Sequence, residues 1–176
     1  IWRQETNGDN SIQLTNGERG ESNPSWSPNG DYILFQARRA GDENTQAYVI
    51  RTIGGEAQRL TNHPTGVSNV EWSTDGKSIY FLARDEKSEE DQMRDKMDDD
   101  VYSFENDYTH RHLWKMGIKD DSATKITMGD FSINSFQLSS QGETIIHSRT
   151  ITPLLGDRHS AEIWTMDNNG GSAKQL

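Results

Sequence analysis

The 176-residue chain contains no cysteine. Disulfides, zinc–thiolate centres and a cysteine nucleophile are therefore excluded, while the cellular compartment is left open. Hydrophobic residues are scarce, at 31% with a mean hydropathy of -0.93. No run is long or apolar enough to span a membrane as a helix. No basic-then-apolar leader follows the opening Ile1-Trp2-Arg3. Positive charge is also in short supply, since the formal net charge is -10. A nucleic-acid binder displays a basic stripe, and none is present. The same deficit disfavours an anionic membrane surface. Catalytic signatures are missing too. No phosphate loop occurs, and the nearest approach to a Gly-x-Ser-x-Gly elbow, Gly66-Val67-Ser68-Asn69-Val70, lacks the second glycine. The reading therefore assigns no catalytic residue, no metal and no cofactor.

What is present is a repeat. Ser25-Trp26-Ser27-Pro28-Asn29-Gly30 returns as Glu71-Trp72-Ser73-Thr74-Asp75-Gly76 and, degraded, as Gln137-Leu138-Ser139-Ser140-Gln141-Gly142. A second mark is Leu14-Thr15, Leu60-Thr61, Ile126-Thr127 and Leu176, and a third is an aromatic at positions 2, 48, 114 and 164. Aromatic to Leu is 12 residues in all four cases, and Leu to the Trp-Ser mark is 12 in all three. Only the stretch from the Trp-Ser mark to the aromatic varies, at 22, 42 and 26 residues. Chance does not hold seven intervals constant and confine all variation to one place.

Each unit reads as four short strands, a to d. Strand a ends at the Trp-Ser mark and a Gly-bearing turn follows. Strand b is Tyr32–Phe35, Ile79–Leu82 and Thr144–His147, and strand c is Ala47–Ile50, His112–Met116 and Glu162–Met166. These runs are aromatic and β-branched, as strands are. A four-stranded unit of this length is a propeller blade, with the Trp and Leu marks in its core. The expected fold is all-β, a partial β-propeller of half a blade (1–15) and three whole blades (16–61, 62–127 and 128–176), with essentially no helix outside residues 87 to 100. Because the first unit has only strands c and d, a piece of a larger propeller is expected. Its open blade ends are expected to drive self-association.

All length variation falls in the b–c connection, on the propeller face shared with the d–a loops. The longest, Arg84–Arg111, holds eleven acidic and five basic residues, a local charge of -6. The segment from Lys87 to Met97 has no Pro or Gly and is read as a short helix, and Val101-Tyr102-Ser103-Phe104 as a short extra strand. An acidic lip that selects a cationic group, such as a peptide amino terminus, stands beside the plainer reading of a solvated excursion. His110 and His112, two apart with Asp107 nearby, are read chiefly as a polar strand entry, with a metal pair as the alternative. Asp167-Asn168-Asn169-Gly170-Gly171 resembles a calcium loop but occupies the place of a c–d hairpin turn, and His63-Pro64 that of a d–a loop.

The segments Ser25–Gly30, Ile33–Phe35 and Gly54–Thr61 resemble TolB-type propeller repeats. Such repeats occur in TolB-like periplasmic proteins and in the propeller domain of prolyl oligopeptidase-family serine peptidases, notably the acylaminoacyl- and dipeptidyl-peptidase branches. Asp99-Asp100-Val101-Tyr102, Asp107-Tyr108, His112-Leu113-Trp114 and Thr152-Pro153-Leu154-Leu155 resemble the peptidases. That resemblance implies a Ser-Asp-His triad in a partner C-terminal α/β-hydrolase domain, none of which maps onto this chain. It implies a propeller that covers the active site and admits short peptide substrates. It also implies a substrate-binding role for the pair Glu89-Glu90, by likeness to a paired-Glu motif that holds a substrate amine, although the flanking residues depart from that motif. The alternatives are a TolB-like protein–protein interaction scaffold, and propeller lyases with metal-binding histidines in the channel.

Overall fold

The structure, a computed structural model, describes residues 1–97 and 108–176. Four antiparallel sheets follow one another along the chain. A two-stranded sheet, β1 (Trp2–Arg3) and β2 (Ile12–Gln13), comes first. Next is β3 (Glu21–Trp26), β4 (Tyr32–Ala37), β5 (Gln46–Arg51) and β6 (Gln58–Arg59). The third sheet is β7 (Ser68–Trp72), β8 (Ser78–Arg84), β9 (Arg111–Gly117) and β10 (Thr124–Lys125). The last is β11 (Ser132–Leu138), β12 (Thr144–Thr150), β13 (Glu162–Asp167) and β14 (Lys174–Gln175). Within every sheet the strand order is the chain order, as in a propeller blade.

The repeat marks have local causes. After strand a, the Ser hydroxyl accepts the backbone N–H five residues on: Tyr32 to Ser27 at 2.9 Å, Ser78 to Ser73 at 2.9 Å and Thr144 to Ser139 at 3.2 Å. It thus closes the a–b turn. The Thr that follows each Leu mark clamps strand d to strand c. Its Oγ1 accepts from the nitrogen 14 residues earlier: Ile1 to Thr15 at 2.5 Å, Ala47 to Thr61 at 2.9 Å and Leu113 to Thr127 at 2.9 Å. A fixed spacing is therefore enforced by a fixed hydrogen bond.

Alternation then builds the core between sheets. On one face of each blade the aromatic mark sits across from a strand-b residue, as Tyr48 opposite Phe35 and Trp114 opposite Phe81. Phe35, Ile33 and Tyr48 pack with Leu14 against the first sheet, and Phe81 and Ile79 pack with Leu34 and Ala47 of the second. Tyr80, Leu82 and Leu113 cover Ile145 and Met166 of the fourth. Each fully buried side chain of this kind contributes about 1.5–3 kcal/mol. The marks that face a neighbouring blade are buried or half-buried, as expected. Trp2 and Trp26 are instead 63% and 56% exposed, on the flank beside the two-stranded sheet. Ile146 and Ile163 are 40% and 44% exposed on the opposite flank.

Helix is nearly confined to residues 87–100, as expected. Helix α1 (Glu89–Lys96) lies inside that range, but Leu155–Ser160 form a 3-10 helix in the last b–c connection. The Asp157 side chain accepts from the Thr152 hydroxyl, and the Asp157 N–H donates to Leu154 O at 3.2 Å, which closes this tight turn. The extra strand expected at Val101–Phe104 lies outside the described residues.

Candidate functional site

The long insertion leaves β8 and returns to β9 at a pinched root. Arg84 and Arg111 are the last cross-strand pair. Beyond them Asp85 N–H donates to His110 O at 2.8 Å. The Thr65 hydroxyl, from the adjoining d–a loop, donates to Arg84 O at 2.7 Å. The b–c and d–a connections therefore meet on one face, as the sequence organisation implies.

At that root a carboxylate, an imidazole and an ammonium converge. Asp85 Oδ1 accepts from Lys125 Nζ at 2.6 Å, and Asp85 Oδ2 faces His112 Nε2 at 3.5 Å. His112 Nδ1 lies 3.2 Å from Thr127 Oγ1. Because that oxygen already accepts from Leu113 N–H, its own hydrogen is free to point at Nδ1. With the hydroxyl donating in this way, the ring proton sits on Nε2, toward Asp85. Burial pushes the His112 pKa down to about 4, with Lys125 acting in the same direction and Asp85 against it. The ring stands edge-on to Phe131 at 5.4 Å and lies 6.2 Å from His110, whose Nδ1 is 3.1 Å from Ser132 Oγ.

Hydroxyl, imidazole and carboxylate in a row have the outline of a catalytic triad, but the chemistry is wrong. Thr127 and His112 are 6% and 1% exposed, so no substrate reaches either. The hydroxyl is committed to the strand clamp, and an imidazole of pKa about 4 is a weak base. The arrangement ties the start of the insertion to strands c and d. Among the described residues no group of three His, Asp or Glu, the His110–His112 pair included, is placed to hold an ion. Asp107 lies outside the described residues. His63 is on the d–a loop, edge-on to Trp114 at 4.7 Å, and burial holds it below the usual histidine range. Asp167 Oδ1 accepts from Asn169 and Gly171 N–H at 3.0 and 2.7 Å, so that segment is the hairpin turn expected.

Glu89 and Glu90 open α1 and are exposed. Ser88 caps the helix through Asp91 N–H at 3.1 Å. Carboxylates in a first turn are stabilised by the helix macrodipole, which gives both a local role. Sequence reading missed Asp85–Lys125 and the buried state of His112. A usable signal was the repeat itself, because His112 precedes the clamped strand-c nitrogen just as Gln46 does, and Gln46 Oε1 accepts from the Thr61 hydroxyl at 2.7 Å.

No family model matches the chain. A curated relative, the uncharacterized peptidase YuxL of Bacillus subtilis, is 41% identical over 58 residues, which is 33% of this chain and 9% of that protein. Among solved structures, TolB of Acinetobacter baumannii superposes with a TM-score of 0.65 at 16% identity, covering 99% of this chain and 36% of that one. Puromycin hydrolase gives 0.63 at 15%, covering 94% and 23%. The oligogalacturonate lyase of Vibrio parahaemolyticus gives 0.65 at 12%, covering 99% and 45%. The chain thus spans less than half the length of each of these proteins. Four consecutive antiparallel sheets and these likenesses define a partial β-propeller. Its fold is like that of the TolB structures and of puromycin hydrolase.

Proposed function

We propose that this chain is the non-catalytic propeller of a prolyl oligopeptidase-family serine peptidase of the acylaminoacyl- or dipeptidyl-peptidase kind. It stands over the active site of a C-terminal α/β-hydrolase domain and admits short peptides. The observation that carries this reading is the 41% identity to a peptidase over 58 residues. It is supported by the absence of a Gly-x-Ser-x-Gly elbow from the chain, which leaves the chemistry to a partner domain. In this reading the units run 1–15, 16–61, 62–127 and 128–176. The insertion 84–111, anchored through Asp85, His112 and Lys125, carries Glu89 and Glu90 toward the substrate amine.

The test is to express the protein encoded by the complete reading frame and to assay chromogenic di- and tripeptides beside a folded protein substrate. Cleavage of the peptides alone, abolished by a serine-directed inhibitor, is expected. Glu89→Gln with Glu90→Gln is expected to raise KM for free-amine substrates and to leave N-acylated ones unchanged. A frame with no hydrolase domain, and no inhibitor-sensitive turnover, overturns the reading. It would favour the TolB-like interaction scaffold, which likeness to TolB over 99% of the chain supports.

A further inference from the structure

In a chain of net charge -10, several basic groups pair with carboxylates: Arg39 with Glu21, Arg59 with Asp42 and Lys125 with Asp85. Arg84 and Arg111, at the root of the insertion, and Arg158, in the 3-10 helix of the last b–c connection, do not. Among the described residues, Arg84, Arg111 and Arg158 make no ion pair. Arg111 donates from Nε to Ile133 O at 2.7 Å and from Nη2 to Asn134 O at 2.9 Å, which leaves Nη1 uncommitted. Arg84 donates from Nη1 to Thr109 O at 3.3 Å, which leaves Nε and Nη2. Arg111 is partly buried, and burial together with Arg84 and Arg158 lowers its pKa. Like charges held this close are costly without an anion.

Arg84 and Arg111 line a recess of about 230 Å³ with Asn44, Thr65, Gly66 and Ser68. Among the described residues no carboxylate lines it. Its wall includes a close approach that leaves little room for a side chain: a Cβ on Gly66, at φ +77°, would lie 3.0 Å from Asn44 Cβ and 3.1 Å from Thr45 O. The recess is bounded by the b–c connection of one blade and the d–a loop and strand ends of the next, on the face that carries the insertion.

We infer that this recess is a carboxylate site, in which the free guanidinium N–H groups of Arg84 and Arg111 take the C-terminal carboxylate of a short peptide. Planar guanidinium forks suit a carboxylate in a way that lysine does not. The carboxylate chemistry follows from the recess itself, and the peptide identity rests on the proposed function.

Calorimetric titration of the 176-residue chain with N-acetyl-dialanine and with its C-terminal amide tests this. The acid is expected to bind at least tenfold more tightly than the amide, and its affinity is expected to fall as salt rises. Arg84→Gln, an exposed position, and Arg111→Lys are each expected to weaken the acid at least tenfold without changing the amide. Circular dichroism confirms that the variants fold. Equal binding of acid and amide, or no effect of Arg84→Gln, overturns the site. Tighter binding of digalacturonate than of the peptide acid, lost in the same variants, overturns the peptide assignment. If the acid is selected but the full-length protein hydrolyses no peptide, the proposed function fails and the carboxylate site stands. If peptides are cleaved with no preference for a free carboxylate, the site fails alone.

Discussion

His147 occupies the place in the last blade that Phe35 and Phe81 hold in the two before it, since it lies opposite Trp164 as they lie opposite Tyr48 and Trp114. It is 3% exposed, and neither ring nitrogen has a hydrogen-bond partner. Burial, and secondarily Arg149, pushes its pKa down to about 4 from an ordinary 6.5. The folded state therefore resists protonation and the unfolded chain does not. Stability linked to His147 is complete above pH 6.5, erodes as pH falls, and is fully lost below about 4. At pH 4.5 the two-state linkage relation gives a loss of about 2.5 kcal/mol, against less than ~0.1 at pH 7.5. His147→Phe removes the titration and two unpaired buried polar atoms, worth about 1–3 kcal/mol. Some of that gain is offset by fitting the larger ring beside Arg149, at a cost of about 1–3 kcal/mol. Urea unfolding at pH 7.5 and 4.5 should show a small change at the higher pH. The variant's advantage should widen by about 2–3 kcal/mol at the lower pH. His112, also near 4, contributes an acid slope to both proteins and cancels in the difference. An advantage that stays constant between the two pH values would refute the reasoning.

Thr127→Val deletes the acceptor for Leu113 N–H and the partner of His112 Nδ1; a loss of about 1–3 kcal/mol is expected in urea melts, and a cost below about 0.5 would show that the clamp is dispensable. Asp85→Asn weakens a half-exposed contact with Lys125 and should lower stability by no more than about 1 kcal/mol, so a larger loss would mean that the insertion root supports the whole blade. The isolated chain should self-associate through its flanks, with Trp2→Arg plus Trp26→Arg shifting the mass toward monomer; light scattering over a concentration series checks this, and a wild-type monomer at high micromolar concentration would contradict it. No turnover of acylated or dipeptidyl chromogenic substrates is expected from this chain alone, and inhibitor-sensitive cleavage would prove that wrong.

The sequence carried the fold because each recurring residue discharges a local obligation. Ser27, Ser73 and Ser139 close turns, and Thr15, Thr61 and Thr127 close strand pairs, over separations that backbone geometry fixes. Such interactions survive in a repeat and can be counted without coordinates. The site behaves differently. Asp85, His112 and Lys125 come from the ends of three elements, and Lys125 reaches Asp85 across 40 positions whose spacing no repeat constrains. Arg111 is likewise bound to carbonyls of the following blade. Other groups are visible in sequence as departures from the repeat: His147 where phenylalanine stands, and Arg149 where Ala37 and Ala83 stand. Arg149 shows what such a departure does. Its guanidinium lies 3.5 Å from the Trp164 ring centroid and 4.4 Å from that of Phe131. A cation sandwiched between two rings in this way is attracted by both faces. The last blade thus replaces an apolar seam with a charged, titratable one on the side that packs against the blade bearing the insertion. The buried His147 and the caged Arg149 thus lie on the seam that faces the blade whose root carries Arg84 and Arg111.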